Sequence, residues 1–284
     1  MDIMRFFPAI LVPCNIEASG APDGLKNWHV ACCMNCAKPR QWAPGGGTLR
    51  AERRSHSRSR VQAQEKTMAK ATLTISSKNY SSWSLRGWLL TKFSGLEFDE
   101  IVTSPDDPSA KAEILLLSSS ILVPCLRHEG ATVWDTLAIA EYLNEAMPDA
   151  GLLPADRVLR AHCRSICGEI HSGFTTLRAS LPVNLKGHFP NFKIWSRAQG
   201  DIDRICTIWR ECLAKSGGPF LFGERTMADA MYAPVVTRFM TYDVKLDKAL
   251  TAYASAVMDM PEMQEWIEAA KAEPADIEEL EVEY

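Results

Sequence analysis

Ala71-Thr72-Leu73-Thr74-Ile75-Ser76, followed after four residues by Ser81-Ser82-Trp83-Ser84-Leu85-Arg86, decides how the rest of the chain is read. In the first stretch apolar residues alternate with hydroxyl residues, the period of a half-buried strand. In the second, serines stand immediately before an apolar run, where Ser is a preferred N-cap. The pattern therefore predicts a strand over Ala71 to Ser76 and a helix from about Ser82 to Phe93. Hydroxyls at such a junction sit beside the free N–H groups and the positive end of the helix dipole. That environment favours an anion, and a thiolate is one. Capping alone also accounts for the serines, and the two roles are compatible if one serine caps while another faces a ligand.

Working downstream, a second strand is predicted over Phe98 to Thr103, then a loop bracketed by Pro105 and Pro108. Ile121 to Arg127 and Thr132 to Trp134 read as two more strands, separated by the turn signal Glu129-Gly130. Asp135 then opens a helix to about Met147, halted by Pro148. After this α/β unit the pattern is helical. Leu159, Cys163, Ile166, Ile170, Phe174, Leu177 and Leu181 recur at steps of three and four, one face of a long helix that ends at Pro182. Ile202, Cys206, Trp209 and Leu213 mark a second, stopping before Gly217. A third starts at Thr226 and carries Val236, Phe239 and Met240, and a last one holds Met263, Trp266, Ile267 and Ala270.

Upstream the character differs. The whole chain has 284 residues, 46% hydrophobic and 23% charged, with a formal net charge of −4. That composition is globular, its near-neutral balance gives no electrostatic case for nucleic acid, and no apolar run is long enough to span a membrane. The mean conceals a division: residues 1–67 hold 10 basic and 5 acidic residues, residues 68–284 hold 21 and 30. The basic part contains Gly45-Gly46-Gly47 and an Arg/Ser run from Arg53 to Arg60, with almost no apolar periodicity, so it reads as a disordered leader. Its Arg/Ser-rich, acid-poor stretch after Lys38 has transit-peptide composition but poor amphipathicity. His29, Cys32, Cys33 and Cys36 have partial zinc-ligand spacing, but no second Cys/His pair follows, so no metal is expected. Five of the nine cysteines fall in the folded part, without the density of a disulfide scaffold, and a reducing, cytoplasmic setting follows. The expected layout is a leader over 1–67, an α/β domain over 70–150, an all-helical domain over 157–273 and an acidic tail over 274–284.

Two further motifs carry chemistry. In Leu122-Val123-Pro124-Cys125-Leu126 a proline enters a strand, tolerated if its peptide is cis or its missing N–H faces a ligand, and leaves backbone that could pair with an extended peptide. In Trp134-Asp135-Thr136-Leu137-Ala138-Ile139 an acid and a hydroxyl open a helix. Capping is one reading. The other uses Asp135 for an ammonium and Thr136, through its hydroxyl and N–H, for a carboxylate, the two groups an amino acid presents.

In this order and spacing the segments resemble the glutathione S-transferase family, over about Ala71 to Ala272. The Ser-Ser-x-Ser-x-Arg motif resembles the signature of serine-type, zeta-like and bacterial members. Val123-Pro124 is similar to the family's cis-proline segment and Asp135-Thr136 to its acid–hydroxyl pair for the γ-glutamyl group. Thr226-Met227-Ala228-Asp229 is similar to its buried capping box, and Glu169 to Phe174 to a segment of bacterial members. The resemblance implies a thioredoxin-like N-terminal domain followed by an all-α C-terminal domain. It implies glutathione as co-substrate without a metal, a small hydrophobic electrophile, a homodimer, and no nucleic-acid or membrane partner. It further implies that the glutathione cysteinyl amide pairs with the backbone of Val123 and that the thiol faces Ser81, the first choice, or Ser82. Arg86 would be structural or field-tuning. Thiol transfer to small electrophiles is the implied activity; maleylacetoacetate-type isomerisation, a glutathione peroxidase activity and a non-catalytic scaffold are its rivals. Omega- and glutaredoxin-like relatives place a nucleophilic Cys near this turn, where Trp83 stands instead. Many members carry Gly-Lys before Val-Pro, where this chain has Ile121-Leu122. For His171 a place in the lining of the second-substrate pocket competes with a structural role, and a helix-face histidine with no spaced partner reads as structural.

Overall fold

A computed structural model describes residues 71–103 and 122–273, all within one compact unit over residues 62–284. The readings made for the leader, for the loop bracketed by Pro105 and Pro108, for Ile121 and for the acidic tail lie outside those residues.

Strand β1 (Ala71–Ile75) buries Ala71, Leu73 and Ile75 and leaves the threonines between them half-covered, as the alternation requires. Helix α1 (Ser82–Ser94) follows, ending on Gly95 in the left-handed region at φ 74°. Strand β2 (Phe98–Val102) returns parallel to β1, the geometry that a crossover helix permits. Strands β3 (Cys125–His128) and β4 (Ala131–Trp134) form a hairpin over Glu129 and Gly130, both with positive φ. β3 runs antiparallel to β1, with Leu73 opposite Leu126, and the sheet order is β2-β1-β3-β4. The third strand starts at Cys125, later than the apolar run suggests, because Pro124 has no N–H to give a ladder. Helix α2 (Thr136–Ala146) completes a thioredoxin-like half, and α1 packs against it.

The helical half comprises α3 (Arg157–Ser172), α4 (Thr175–Ser180), α5 (Ser196–Ser216), α6 (Met227–Thr241), α7 (Lys248–Met258) and α8 (Pro261–Ala272). The single long helix expected over Leu159 to Leu181 is two, α3 and α4. Its backbone turns at Gly173, and Phe174 sits in the left-handed region at φ 59°. Helix α6 is buried almost all round, as expected of a helix at the centre of a bundle, except for Met240, which is half exposed and not a core residue. Trp209 of α5 is its anchor, with ring centroids 4.9–5.9 Å from Tyr232, Phe239 and Tyr253. Helix α7, which the sequence reading does not anticipate, supplies Tyr253 and opens on Asp247, whose carboxylate accepts from Ala249 and Leu250 N–H. Helix α6 begins with a capping box: the Thr226 hydroxyl accepts from Ala228 N, and Asp229 accepts from Thr226 N at 2.8 Å and Leu221 N at 3.2 Å.

The two halves share one apolar core, in which α1 packs on α6 and Trp88 meets Trp266 at 5.3 Å. The five described cysteines are all free and buried. Among the described residues no helix is long and apolar enough to cross a membrane, and no cluster of three or more His, Cys, Asp or Glu is arranged to hold a metal ion.

Candidate functional site

The turn that delivers the serines is pinned at both ends. Ser81 N donates to Ser77 O, and Ser81 is the N-cap of α1, its Oγ accepting from Ser84 N at 3.2 Å. The same hydroxyl donates to Ser84 Oγ at 2.9 Å, which also accepts from Ser76 N at 3.0 Å. The Ser81 proton is therefore spent inside the turn. Ser82 is 8% exposed, and its hydroxyl has no hydrogen-bond partner among the described residues.

Before the serines, Asn79 is wholly buried and its Oδ1 accepts from Leu185 N at 2.7 Å and Lys186 N at 3.0 Å, joining the turn to the connection between α4 and α5. Glu273, just beyond α8, grips the same turn. Its carboxylate accepts from Ser77 Oγ at 2.8 Å, Lys78 N at 2.5 Å and Asn79 N at 3.1 Å.

A cavity of about 340 Å³ opens beside this turn, lined by Trp83, Val123, Pro124, Asp135, Thr136 and His171 among others. The Val123–Pro124 peptide is cis. Asp135 caps α2 with φ 78° and ψ 132°, a sparsely populated conformation for a residue with a side chain. Its Oδ1 accepts from Leu137 N at 2.8 Å, leaving Oδ2 for His171 Nε2 at 3.0 Å. The other ring nitrogen, Nδ1, lies 3.3 Å from Thr136 Oγ1, and the imidazole stands edge-on to Trp83 at 5.1 Å. Chemically the wall offers a carboxylate, a hydroxyl and a helix N-terminus for an amino acid's charges, with an apolar side formed by Trp83 and the proline.

Residues 80–146 match the description "Glutathione S-transferase, N-terminal domain" and residues 193–269 match "Glutathione S-transferase, C-terminal domain". Maleylacetoacetate isomerase of Rattus norvegicus is 30% identical over 169 residues, covering 58% of this chain and 76% of that protein. The chain belongs to the glutathione S-transferase family. Probable maleylacetoacetate isomerases of Drosophila melanogaster and Caenorhabditis elegans are 36% and 33% identical, over 144 and 96 residues, 50% and 34% of this chain. This chain spans about half the length of those two relatives, 56% and 44%. Among solved structures, a glutathione transferase homolog from Burkholderia with bound glutathione is 24% identical, with a TM-score of 0.54, over 71% of this chain and 97% of that one.

The fold gathers Val123, Pro124, Asp135 and Thr136 on one wall. Ser81 and Ser82 are not on it; Trp83, the next residue, is. Thr226 and Asp229 lie in the capping box of α6, whose Met231 O holds Arg86 Nε at 2.8 Å. Arg86 is wholly buried with Nη2 unpartnered, and burial together with the neighbouring Arg178 and Arg238 presses its pKa well below the usual value. Arg86 and Arg178 both stand 4.8 Å from the Trp83 ring, and Arg178 also donates to carbonyls at the end of α3, including Gly173 O at 3.2 Å. Three guanidiniums thus cluster near the start of α1, bonded to backbone carbonyls. Asn79, Arg178 and Glu273, which brace the turn and the cavity wall, have no counterpart in the sequence reading, and His171, read there as structural in preference to pocket-lining, stands on the cavity wall. For His171 the segment Glu169 to Phe174 was the one available signal, since its partners are far away in sequence.

The proline is held from behind. A Cβ added to Gly87 of α1 would lie 2.5 Å from Pro124 Cγ and 2.6 Å from its Cβ. Gly87→Ala gains about 1 kcal/mol of helix propensity and loses about 1–3 kcal/mol to overpacking. The expected net loss of about 1 kcal/mol should appear in the denaturant midpoint. Because the proline must shift, glutathione affinity measured by calorimetry is expected to fall several-fold, and an unchanged affinity would show that Pro124 does not position the ligand.

A second walled cavity, of about 330 Å³, is lined by residues of α3 and α5 and places Cys212 Sγ 3.5 Å from His162 Nε2. Burial pushes that thiol up to about 11, so it stays protonated at neutral pH and does not act as a nucleophile.

Proposed function

We propose that the chain binds glutathione in the cavity walled by Trp83, Val123, Pro124, Asp135 and Thr136 and delivers its thiolate to small electrophiles. The observation that carries this reading is the convergence of three devices on one place: the Val123–Pro124 segment, the acid–hydroxyl pair at the start of α2 and the N-terminus of α1. An extended tripeptide would pair its cysteinyl amide with Val123 backbone, its γ-glutamyl end lying on Asp135 and Thr136. Its sulfur would then reach the first turn of α1. A free thiol has a pKa of ~8.5 and is mostly protonated at neutral pH. The helix N-terminus and a hydroxyl donor lower it, and each tenfold gain in the thiolate-to-thiol ratio corresponds to ~1.4 kcal/mol. Ser82 is the donor in this reading, because the Ser81 proton already serves Ser84.

A second reading shares the first step and is favoured by the names of the relatives. Thiolate adds to a conjugated C=C bond, the resulting single bond rotates, and elimination returns the thiolate and the isomerised alkene. No net atom is gained or lost, whereas in transfer the carbon–sulfur bond remains. A two-fold dimer and a reducing, cytoplasmic setting belong to the same proposal, the latter in keeping with five free buried thiols.

Calorimetry with millimolar glutathione tests the reading at its root. Saturable heat is expected. Its absence would sink the enzyme reading and leave a scaffold that reuses the fold. If binding is seen, products from an aryl halide, a peroxide and a maleylacetoacetate analogue separate transfer, reduction and isomerisation.

A further inference from the structure

Ser81 and Ser82 leave a turn whose backbone is fastened from the far end of the folded unit. Three consecutive residues, Ser77 to Asn79, each give a hydrogen to one carboxylate. Ser77 Oγ at 2.8 Å and Asn79 N at 3.1 Å donate to Glu273 Oε2, and Lys78 N at 2.5 Å donates to Oε1. Ser77 passes the hold downstream. Its Oγ accepts from Asn79 N at 3.2 Å and Tyr80 N at 3.3 Å, and its carbonyl accepts from Ser81 N at 3.1 Å. Ser77 is thus the single link between the carboxylate and the residue that caps α1.

Glu273 is itself tied on both sides. Its N–H donates to Ala270 O at 3.2 Å, closing α8, and its carbonyl accepts from Lys186 Nζ at 2.9 Å. Lys186 N in turn donates to Asn79 Oδ1 at 3.0 Å, so Asn79, Lys186 and Glu273 form a closed circuit of hydrogen bonds. Further back on α8, the Trp266 indole N–H donates to Lys78 O at 2.9 Å. A helix N-terminus favours a thiolate only where its donors are aimed, because its field fades within the first turn and a hydrogen bond weakens steeply with misalignment. The last helix fixes that aim.

We propose that Glu273 is a positioning residue for thiolate formation. By gathering Ser77, Lys78 and Asn79 it sets the entry of the chain into α1, and with it the direction of the donors that meet the sulfur. Glu273 does not line the cavity, so it governs ionisation of the thiol and not the grip on the peptide. This inference rests on the glutathione reading above.

Two measurements separate those effects. Thiolate absorbance of bound glutathione against pH reports ionisation. Calorimetry with S-methylglutathione, which has no thiol to ionise, reports the grip. In Glu273→Ala the titration midpoint is expected to rise, the thiolate-to-thiol ratio at fixed pH falling about tenfold and kcat several-fold with it. Affinity for S-methylglutathione should stay within about twofold, as for a change remote from the contacts. Glu273→Gln, which keeps one acceptor and no charge, should recover part of the ratio. Glu265→Ala removes the ion pair of α8 with Lys92 at 2.8 Å, leaves the turn untouched and should change neither measurement.

An unchanged midpoint in Glu273→Ala, with only the melting temperature lowered, would mark a merely structural role and overturn the inference. So would an equal midpoint shift in Glu265→Ala, or a parallel loss of S-methylglutathione affinity. A midpoint that falls in both Glu273→Ala and Glu273→Gln would show the carboxylate acting through its charge and not its geometry, which also overturns it. Should Glu273→Ala fail to fold, Glu273→Gln carries the same comparison against the unaltered protein. If the unaltered protein binds glutathione with an unshifted thiol, the inference fails and binding stands. If it binds none, both fail.

Discussion

Ser82→Ala is expected to lower kcat/KM for glutathione-dependent turnover by about a hundredfold, the usual scale for removing one donor from an anion in a preorganised site. The reason lies in how the first turn of α1 divides its three hydroxyls. Ser84 Oγ accepts from Ser76 N and Ser81 Oγ, and Ser81 Oγ accepts from Ser84 N, so these two close a local network that holds the helix start. Ser82 carries the one hydroxyl of the three without such an obligation. Ser81→Ala is expected to cost about 1 kcal/mol of stability through loss of the cap, with a smaller effect on turnover. Thiolate absorbance of the bound ligand, followed against pH, reads the same difference directly. Its apparent pKa should rise in Ser82→Ala and move little in Ser81→Ala. The reverse ranking would return the role to Ser81, as the family's serine motif implies.

Asp229→Ala is expected to destabilise the protein by about 3–5 kcal/mol, more than any of the other substitutions. The carboxylate is wholly buried and serves Thr226 N, Leu221 N and the Thr226 hydroxyl, the last at 3.2 Å. Alanine leaves two buried N–H groups without acceptors, at about 1–3 kcal/mol each, and removes half of a capping box. A chain of this size should lose roughly 10 °C of melting temperature. Burial, the largest cause, pushes the carboxyl up from 3.8 to about 6 despite the hydrogen bonds that oppose it. The sign follows from proton counts. Between pH about 4 and 6 the native state holds a proton that the unfolded chain has released, so this group's share of stability falls as pH rises through that window. It is level above it, after a total of ~3 kcal/mol. Asp229→Asn, which does not titrate, should lack that slope. Denaturant midpoints at pH 4.5 and 7 in the two proteins test this, and an equal pH dependence would refute the assignment.

Much of the fold is legible in the residues because local signals and packing agree. Alternation in Ala71 to Ile75, the serines before α1, the Glu129-Gly130 turn and Asp135 before α2 each place an element close to where it stands. The misses have physical causes. Periodicity continues through Gly173 and Phe174, since Phe174 and Leu177 stay on the buried face, so the break between α3 and α4 leaves no trace in the spacing. Helix α7 is present as Leu250, Tyr253, Ala254 and Val257 after a capping Asp247, but alanine-rich turns give a faint pattern. At the cavity, the lining residues that lie in short motifs, Val123-Pro124 and Asp135-Thr136, are visible in the sequence, whereas His171, Arg178 and Glu273 make their contacts across the two halves. Contacts of that range have no signature in one sequence.

The grip of Glu273 on Ser77, Lys78 and Asn79 has a temporal consequence. Asn79 and Glu273 are 194 residues apart, so at synthesis rates of about 5–20 residues per second the serine turn waits roughly 10–40 s for its last ligand. The contacts between Glu273 and the turn before α1 therefore form only once α8 has been synthesised. The corner that carries the serines is thus completed only after the core residues of the helical half have been made.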